Sequence, residues 1–414
     1  MHKNTDDVLI IGAGIAGLTA AKVLKEAGKT VIIIEASDGV GGRVRTDKVD
    51  GFLLDRGFQV LLTAYPEAKY FLDYKALNLK KFDAGAIVLN ENGITEIGDP
   101  LRNPSTLFKT LASPVGSIAD KLKMLLLKLQ LGNSNIDAIF LKNEITTLAY
   151  LQAKGFSNKM ITQFFKPFMT GIFLESELKT SSRMFEFVFK MFSEADTTLP
   201  ALGMGMISNQ LAKKLTTTEL ILNEKVIKID GTKIETNTGK NYEAKNILIA
   251  TDANNLPAPF TKNIVPKKSV TTMYFVANKA PFTAPLIALN ASLNKLVNNI
   301  AVMNQISTEY APEGKFLICV SLIDYDKRYN SDELIQEVLY ELKFWYADAI
   351  HWKHLRTYDI AYALPKDENV TYALKPADIK LADNCYICGD HLLNGSINAA
   401  MKTGRVAAEA LIAS

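Results

Sequence analysis

An α/β fold is predicted for this 414-residue chain, with a discontinuous first domain built on a largely parallel sheet and a second domain of α+β character. Three observations predict it. An apolar strand, a glycine turn, a helix and a second apolar strand ending in an acid occupy residues 8–35; a second glycine-rich segment follows at 39–46; strand and helix patterns that complete such a sheet return at 224–251 and 382–409.

The first unit runs Val8-Leu-Ile-Ile11, Gly12-x-Gly14-x-x-Gly17, an Ala/Leu/Lys helix to about Gly28, then Val31-Ile-Ile-Ile34 and Glu35. This is the pattern of a Rossmann-like dinucleotide-binding βαβ unit. Gly12 permits the tight turn, Gly14 lets backbone approach a pyrophosphate at the helix N-terminus, and Gly17 lets helix and strand pack closely. Glu35 is placed to accept from a ribose diol. Ile15 and Ala16, which open the helix, and Ala36, beside the acid, join the expected cofactor contacts.

The next segment, Gly39-x-Gly41-Gly42-Arg43-Val44-Arg45-Thr46, precedes a strand-like run, Gly51-Phe-Leu-Leu-Asp55-Arg-Gly57-Phe58-Gln59. A nicotinamide dinucleotide needs no second glycine-arginine segment here, whereas FAD has a ribityl chain and ring to hold as well. A planar guanidinium at Arg43 suits phosphate. On these residues the chain resembles the FAD-dependent amine oxidase, phytoene desaturase and protoporphyrinogen oxidase superfamily, whose glycine-glycine-arginine segment wraps FAD. The resemblance implies that Gly41, Gly42, Arg43, Gly57, Phe58 and Gln59 contact the cofactor, Arg43 at the pyrophosphate.

The far end carries the same resemblance. Ala382-Asp-Asn-Cys-Tyr-Ile-Cys-Gly389-Asp390, a loop, and Gly395-Ser396-Ile397-Asn398 opening a last helix are similar to the family's closing strand, Gly-Asp turn and flavin-facing helix. Gly389 and Asp390 are thereby expected at the ribityl-phosphate region and Ser396, Ile397 and Asn398 near the ring. Val226 in Glu224-Lys-Val-Ile-Lys-Ile-Asp230 and Thr251 after Asn246-Ile-Leu-Ile-Ala250 match the family's adenine-side strand and Ala-Thr strand end.

Because these stations are dispersed, the FAD-binding domain is expected from 1–75, 201–265 and 376–414, and a substrate domain from 76–200 and 266–375. A net charge of +3 and the lack of any run of like charge argue against nucleic acid as a partner. Cys319, Cys385 and Cys388 are too few for a disulfide framework, and Cys385-x-x-Cys388 lies in an apolar strand, so structural thiols and no metal are expected. The opening Met-His-Lys-Asn-Thr-Asp-Asp shows no export signal, so a cytoplasmic protein is expected. Residues 107–112 and 115–131 read as two helices, the second with Ile118, Leu122, Leu125, Leu126 and Leu129 on one face. That face is expected to pack on its own domain with Lys121, Lys123 and Lys128 solvated; the alternative is a peripheral contact with the inner face of a membrane.

Eight of the twenty phenylalanines fall between Phe164 and Phe192. They are expected to be core, or in part the wall of a greasy tunnel over the flavin, together with the strand Thr271 to Val276. The family resemblance implies that FAD itself accepts the hydride, so no triad is required; Gln59, Lys166 and Tyr274 are the candidate groups near ring or substrate. The amine oxidases of the family carry a lysine in the strand matching Lys268-Ser-Val-Thr-Thr-Met-Tyr-Phe275, where this chain has Thr271 and Thr272, and an aromatic where it has Asn394-Gly395-Ser396. An apolar substrate is therefore expected, dehydrogenated by hydride transfer in the manner of phytoene desaturases or protoporphyrinogen oxidases, with oxygen, a quinone or another carrier taking the electrons. Amine oxidation is the alternative, and a flavin-free lipid-binding escort protein on the same fold is the rival of another class. Gly203-Met-Gly205 reads as a turn into a helix at 209–215 after a non-strand segment, so a nicotinamide partner is not expected.

Overall fold

The structure, a computed structural model, describes all residues except 1–5, 214, 216–218, 262–265, 294, 326–328 and 367–369. The opening residues on which the absence of an export signal was read thus lie partly outside the described chain. Strand β1 (Asp6–Ile11), helix α1 (Ile15–Glu26) and strand β2 (Val31–Ile34) form the expected unit. β1 pairs in parallel with β2 and, on its other side, with Asn241–Ile249. The eight-stranded sheet is completed by Glu219–Ile221, Val226–Asp230, Lys233–Thr236, Lys380–Ala382 and Cys385–Ile387. Fully apolar runs such as Val8–Ile11 and Val31–Ile34 suit strands covered on both faces. α1 and the last helix, Ile397–Ala413, cover one of them, in contact so close that a Cβ at Gly404 would lie 2.3 Å from the Ala16 carbonyl oxygen.

A seven-stranded sheet draws its strands from 85–98 and 267–365. Its centre is the antiparallel set Lys267–Ala277, Phe316–Leu322 and Val297–Val302. A helical layer from Leu107 to Glu194 packs beside it. Within that layer a turn of π-helix, Ile161–Phe165, interrupts the helical run where Pro167 removes a backbone donor.

Three local expectations need correction. Thr197–Pro200, read as a non-strand segment, is a mostly buried strand between Leu61–Leu62 and Leu79–Lys81. The helix after it begins at Gly205 and runs to Lys213, four residues earlier than the polar start suggested. A third correction concerns the helix Ile118–Gly132: its buried apolar side chains are Leu127 and Leu131, while Ile118, Leu122, Leu126 and Leu129 face outward. Among the described residues no helix is long and apolar enough to cross a membrane.

Candidate active site

A cavity of about 1260 Å³ runs from the glycine turn of β1–α1 to the phenylalanine-rich helices. It exceeds the roughly 300–1,000 Å³ of an ordinary small-molecule pocket, leaving room for a dinucleotide and a second molecule.

The glycines divide the work at one end. Gly12 sits at φ +104°, and a Cβ there would lie 3.0 Å from the Ala250 carbonyl oxygen. A Cβ on Gly17 would meet the Gly12 carbonyl oxygen at 2.2 Å, so Gly17, expected with Gly12 and Gly14 among the contacts to the ADP half, is a packing residue instead and does not line the cavity. Gly14 has nothing within 4 Å of its missing Cβ: it faces open cavity. Gly41 donates its N–H to the Ala13 carbonyl oxygen at 2.8 Å, drawing the second glycine segment alongside the first. α1 has no side-chain cap and no acid in its first turn, so its N-terminal N–H groups and dipole are left for an anion.

Glu35 is more committed than the sequence suggested. One carboxylate oxygen accepts from Ala13 N at 2.7 Å, the other from Ser37 N at 2.9 Å and Ser37 Oγ at 2.7 Å. Arg43 lines the cavity but does not present a free fork to phosphate: Nη2 bonds Asp390 Oδ1 at 2.6 Å, Nη1 bonds the Ala363 carbonyl oxygen at 2.9 Å, and the guanidinium stacks 5.3 Å from the Tyr362 ring centre. It ties the second glycine segment to the Gly389-Asp390 turn. Gln59 donates through Nε2 to the Arg43 carbonyl oxygen at 2.7 Å, and its Oε1 finds no partner among the described residues; neither does Thr251 Oγ1. Both residues line the cavity. Buried polar atoms of this kind are normally satisfied, so their vacancy fits a polar ligand such as FAD along this wall.

Ile15, Ala16, Ala36, Gly42, Gly57, Phe58, Val226, Gly389, Ser396 and Ile397 also line the cavity. Asn398 does not: it is fully buried on the far side of the last helix, accepting from Glu67 N at 3.1 Å. Its neighbour Arg405 grips Glu67 through two bonds of 2.9 and 2.7 Å, fixing that helix. Sequence reasoning missed Ile360, Ala363 and Leu364 on the strand Lys353–Pro365, which nothing local distinguishes from other strand residues. Glu224, at the adenine-side station, also lines the cavity: although burial favours its neutral form, bonds from Thr236, Lys240, Thr238 and Tyr242 pull its carboxyl down to about 2.

At the other end, Phe164, Phe168, Phe189 and Phe192 line the cavity, whereas Phe165, Phe173, Phe185 and Phe187 are buried in the core. Phe164 stacks on Phe168 with ring centres 5.5 Å apart, and Phe168 meets Phe192 at 5.3 Å. Ile172, Val188 and Gly171 continue this wall, and Ile287, Leu289, Asn299 and Ser321 close it from the seven-stranded sheet. The expected wall of Thr271 to Val276 is not there; only the preceding Val270 reaches the cavity. Tyr274 is fully buried and donates to the Asp55 carbonyl oxygen at 2.9 Å, so it is a structural tyrosine. Lys166 does not line the cavity either. Lys268 donates to Thr180 Oγ1 at 3.0 Å and is likewise absent from the lining.

Asp55 was not foreseen. It is fully buried, accepting from Tyr310 OH at 2.7 Å, Thr46 Oγ1 at 2.5 Å and Met204 N at 2.9 Å, and burial raises its carboxyl to about 6 against those bonds. All three cysteines are buried free thiols, and burial pushes Cys385 up to about 11, which suits structural roles.

A glycine cradle at a bare helix N-terminus, an acid at the end of β2 and a long cavity beyond them define an FAD-binding oxidoreductase. Residues 15–412 match the model of the flavin containing amine oxidoreductase family, and the chain belongs to that family. Its cofactor is FAD. It is 27% identical over 170 residues to the mitochondrial protoporphyrinogen oxidase of Nicotiana tabacum, covering 41% of this chain and 33% of that protein. It is 53% identical over 53 residues to the putrescine oxidase of Kocuria rosea, 13% and 11% of the two chains. The matches thus span a third or less of these relatives. The solved structure of a putrescine oxidase bound to putrescine superposes with a TM-score of 0.71 over 99% of both chains, at 16% identity, a likeness of fold.

Proposed function

We propose that the protein dehydrogenates a largely apolar substrate, with oxygen, a quinone or another carrier as final electron acceptor. The observation that carries this reading is the wall of Phe164, Phe168, Ile172, Val188, Phe189 and Phe192, continuous with the glycine cradle in one cavity. When bound, FAD supplies the hydride acceptor. Gly12, Gly14, Glu35 and the bare end of α1 hold its adenylate and pyrophosphate half; Arg43, fixed by Asp390, sets the distance between the two glycine segments; Gln59 and Thr251 offer unpaired polar atoms. The aromatic wall orients the substrate and excludes water. A flavin-free carrier needs no such cradle, which speaks against the escort reading.

Amines fit the wall less well. Desolvating an ammonium without a partner costs several kcal/mol; Asp83 and Asp99 do line the cavity, Asp99 paired with Lys128, while the acids nearest the phenylalanines in sequence are occupied. Glu175 accepts from Thr180 and Glu177, Glu186 pairs with Lys142 at 2.5 Å, and Glu194 pairs with Lys190; none lines the cavity. The test is anaerobic flavin reduction by carotenoid precursors, porphyrinogens and amines side by side. Bleaching by the apolar compounds is expected; rapid bleaching by a primary amine with none by the others overturns the proposal.

A further inference from the structure

The chamber walled by the phenylalanines is not apolar throughout. Where the seven-stranded sheet closes it, Leu289, Asn299, Ser321 and Thr272 stand opposite one another in register on four adjacent strands, Ile287–Asn290, Val297–Val302, Phe316–Leu322 and Lys267–Ala277. Residues paired in this way share a face of the sheet. Asn299 and Ser321, 1% and 3% exposed, line the cavity beside Ile287, Leu289 and Val270. Burying an amide and a hydroxyl in such a wall is costly unless their hydrogen bonds are made.

The bonds run one way. Lys295 Nζ, an ammonium that can only donate, gives protons to the Asn290 carbonyl oxygen at 2.6 Å and to Asn298 Oδ1 at 3.0 Å. That sets the Asn298 amide, whose Nδ2 donates to Asn299 Oδ1 at 3.1 Å and to the Pro167 carbonyl oxygen at 3.2 Å. Asn299 Nδ2 is thereby turned on Ser321 Oγ, at 3.3 Å. Ser321 ends the relay: its oxygen accepts, and its own proton goes to no acceptor among the described residues. Thr272, across from Ser321, is fully buried and does not itself reach the cavity, and its Oγ1 has no partner among the described residues either. Gly171 keeps the amides uncovered. It lines the cavity inside the helix Lys166–Phe173, where glycine is a poor helix former, and a Cβ on it would stand 3.2 Å from Asn298 Nδ2 and Asn299 Oδ1. A polar network that served packing alone would close on a satisfied group; this one closes on a donor at the cavity wall. Its only cation is held back from the cavity by two amides, so a carboxylate here would be buried against neutral donors, at a cost that a hydroxyl or a carbonyl escapes.

We infer that Ser321, held by Asn299, donates to an uncharged oxygen of the substrate, hydroxyl or carbonyl, so that the substrate is an apolar chain bearing such a group and not a plain hydrocarbon. This rests on the apolar-substrate reading. The test takes four probes of one skeleton, β-farnesene, farnesol, farnesal and farnesoic acid, and measures their binding to the FAD-loaded protein by equilibrium dialysis at neutral pH, in wild type, Ser321→Ala and Ile172→Asp. Wild type is expected to bind farnesol or farnesal roughly three- to tenfold more tightly than β-farnesene. Ser321→Ala should lose that preference while keeping its FAD and its affinity for β-farnesene. β-Farnesene bound as tightly as the oxygenated probes by wild type, or a preference that survives in Ser321→Ala, overturns the inference and leaves the apolar chamber standing. Tightest binding of farnesoic acid overturns it as well, since the group held is then charged. A wild type that binds none of the four, or an Ile172→Asp protein that binds them equally well, defeats the apolar-substrate reading and this inference with it.

Discussion

Gly14→Ala separates cofactor binding from folding. Gly14 has φ −72° and ψ 176°, a backbone open to any residue, and no protein atom lies within 4 Å of the added methyl. The apo protein is expected to hold its stability within about 1 kcal/mol, with a small gain from a less flexible unfolded chain. The methyl occupies the space where the pyrophosphate meets backbone. Overfilling a close contact costs about 1–3 kcal/mol, a loss of roughly 5- to 150-fold in FAD affinity. Gly17→Ala behaves differently, because its methyl would stand 2.2 Å from the Gly12 carbonyl oxygen inside the fold and lowers apo stability as well. Thermal melts of the apo proteins and fluorescence titrations with FAD measure both quantities. A Gly14→Ala protein that folds normally and binds FAD as tightly as wild type refutes the assignment of the cradle.

Three further outcomes are expected. Glu35→Ala removes the acceptor for two backbone N–H groups and the Ser37 hydroxyl; at about 1–3 kcal/mol for such a loss, FAD should leave on dialysis roughly 5- to 150-fold faster, with Glu35→Gln intermediate, and unchanged retention argues against it. Asp55 is raised from 3.8 to about 6 by burial, so its contribution to stability is present in full below about pH 4 and is lost, by about 3 kcal/mol, as pH rises through about 6. Asp55→Asn should flatten that fall in urea midpoints, and a variant as pH-sensitive as wild type contradicts the assignment. Ile172→Asp, a charge on the aromatic wall, should lower kcat/KM for an apolar substrate at least about tenfold with FAD content unchanged; equal turnover would show that substrate binds elsewhere.

What was legible in the sequence was local. β1, α1 and β2 announce themselves because a strand period, a glycine spacing and a helix period follow one another without interruption, and Gly17 could be read as packing from its place in the helix. What was not legible depended on partners far along the chain. Arg43 has the chemistry of a phosphate ligand, but it is claimed by Asp390, 347 residues away. The Phe-rich stretch could not be divided between wall and core by helical period, because the π-turn before Pro167 shifts the phase between Phe164 and Phe168. An apolar helix face ordinarily predicts burial, and in Ile118–Gly132 that inference fails where the cavity opens. Asp55 gave no signal, since its burial is produced by Tyr310 and Met204 from other parts of the fold.

The most direct test is an anaerobic titration of the FAD-loaded protein with a polyene precursor that can be dehydrogenated, wild type against Ile172→Asp, following flavin absorbance. Loss of the yellow colour equivalent for equivalent in wild type, with the variant still oxidised at the same concentrations, is the expected result. Equal bleaching of both proteins, or bleaching by amines alone, contradicts a single chamber in which the glycine cradle holds FAD and the phenylalanine wall holds the substrate.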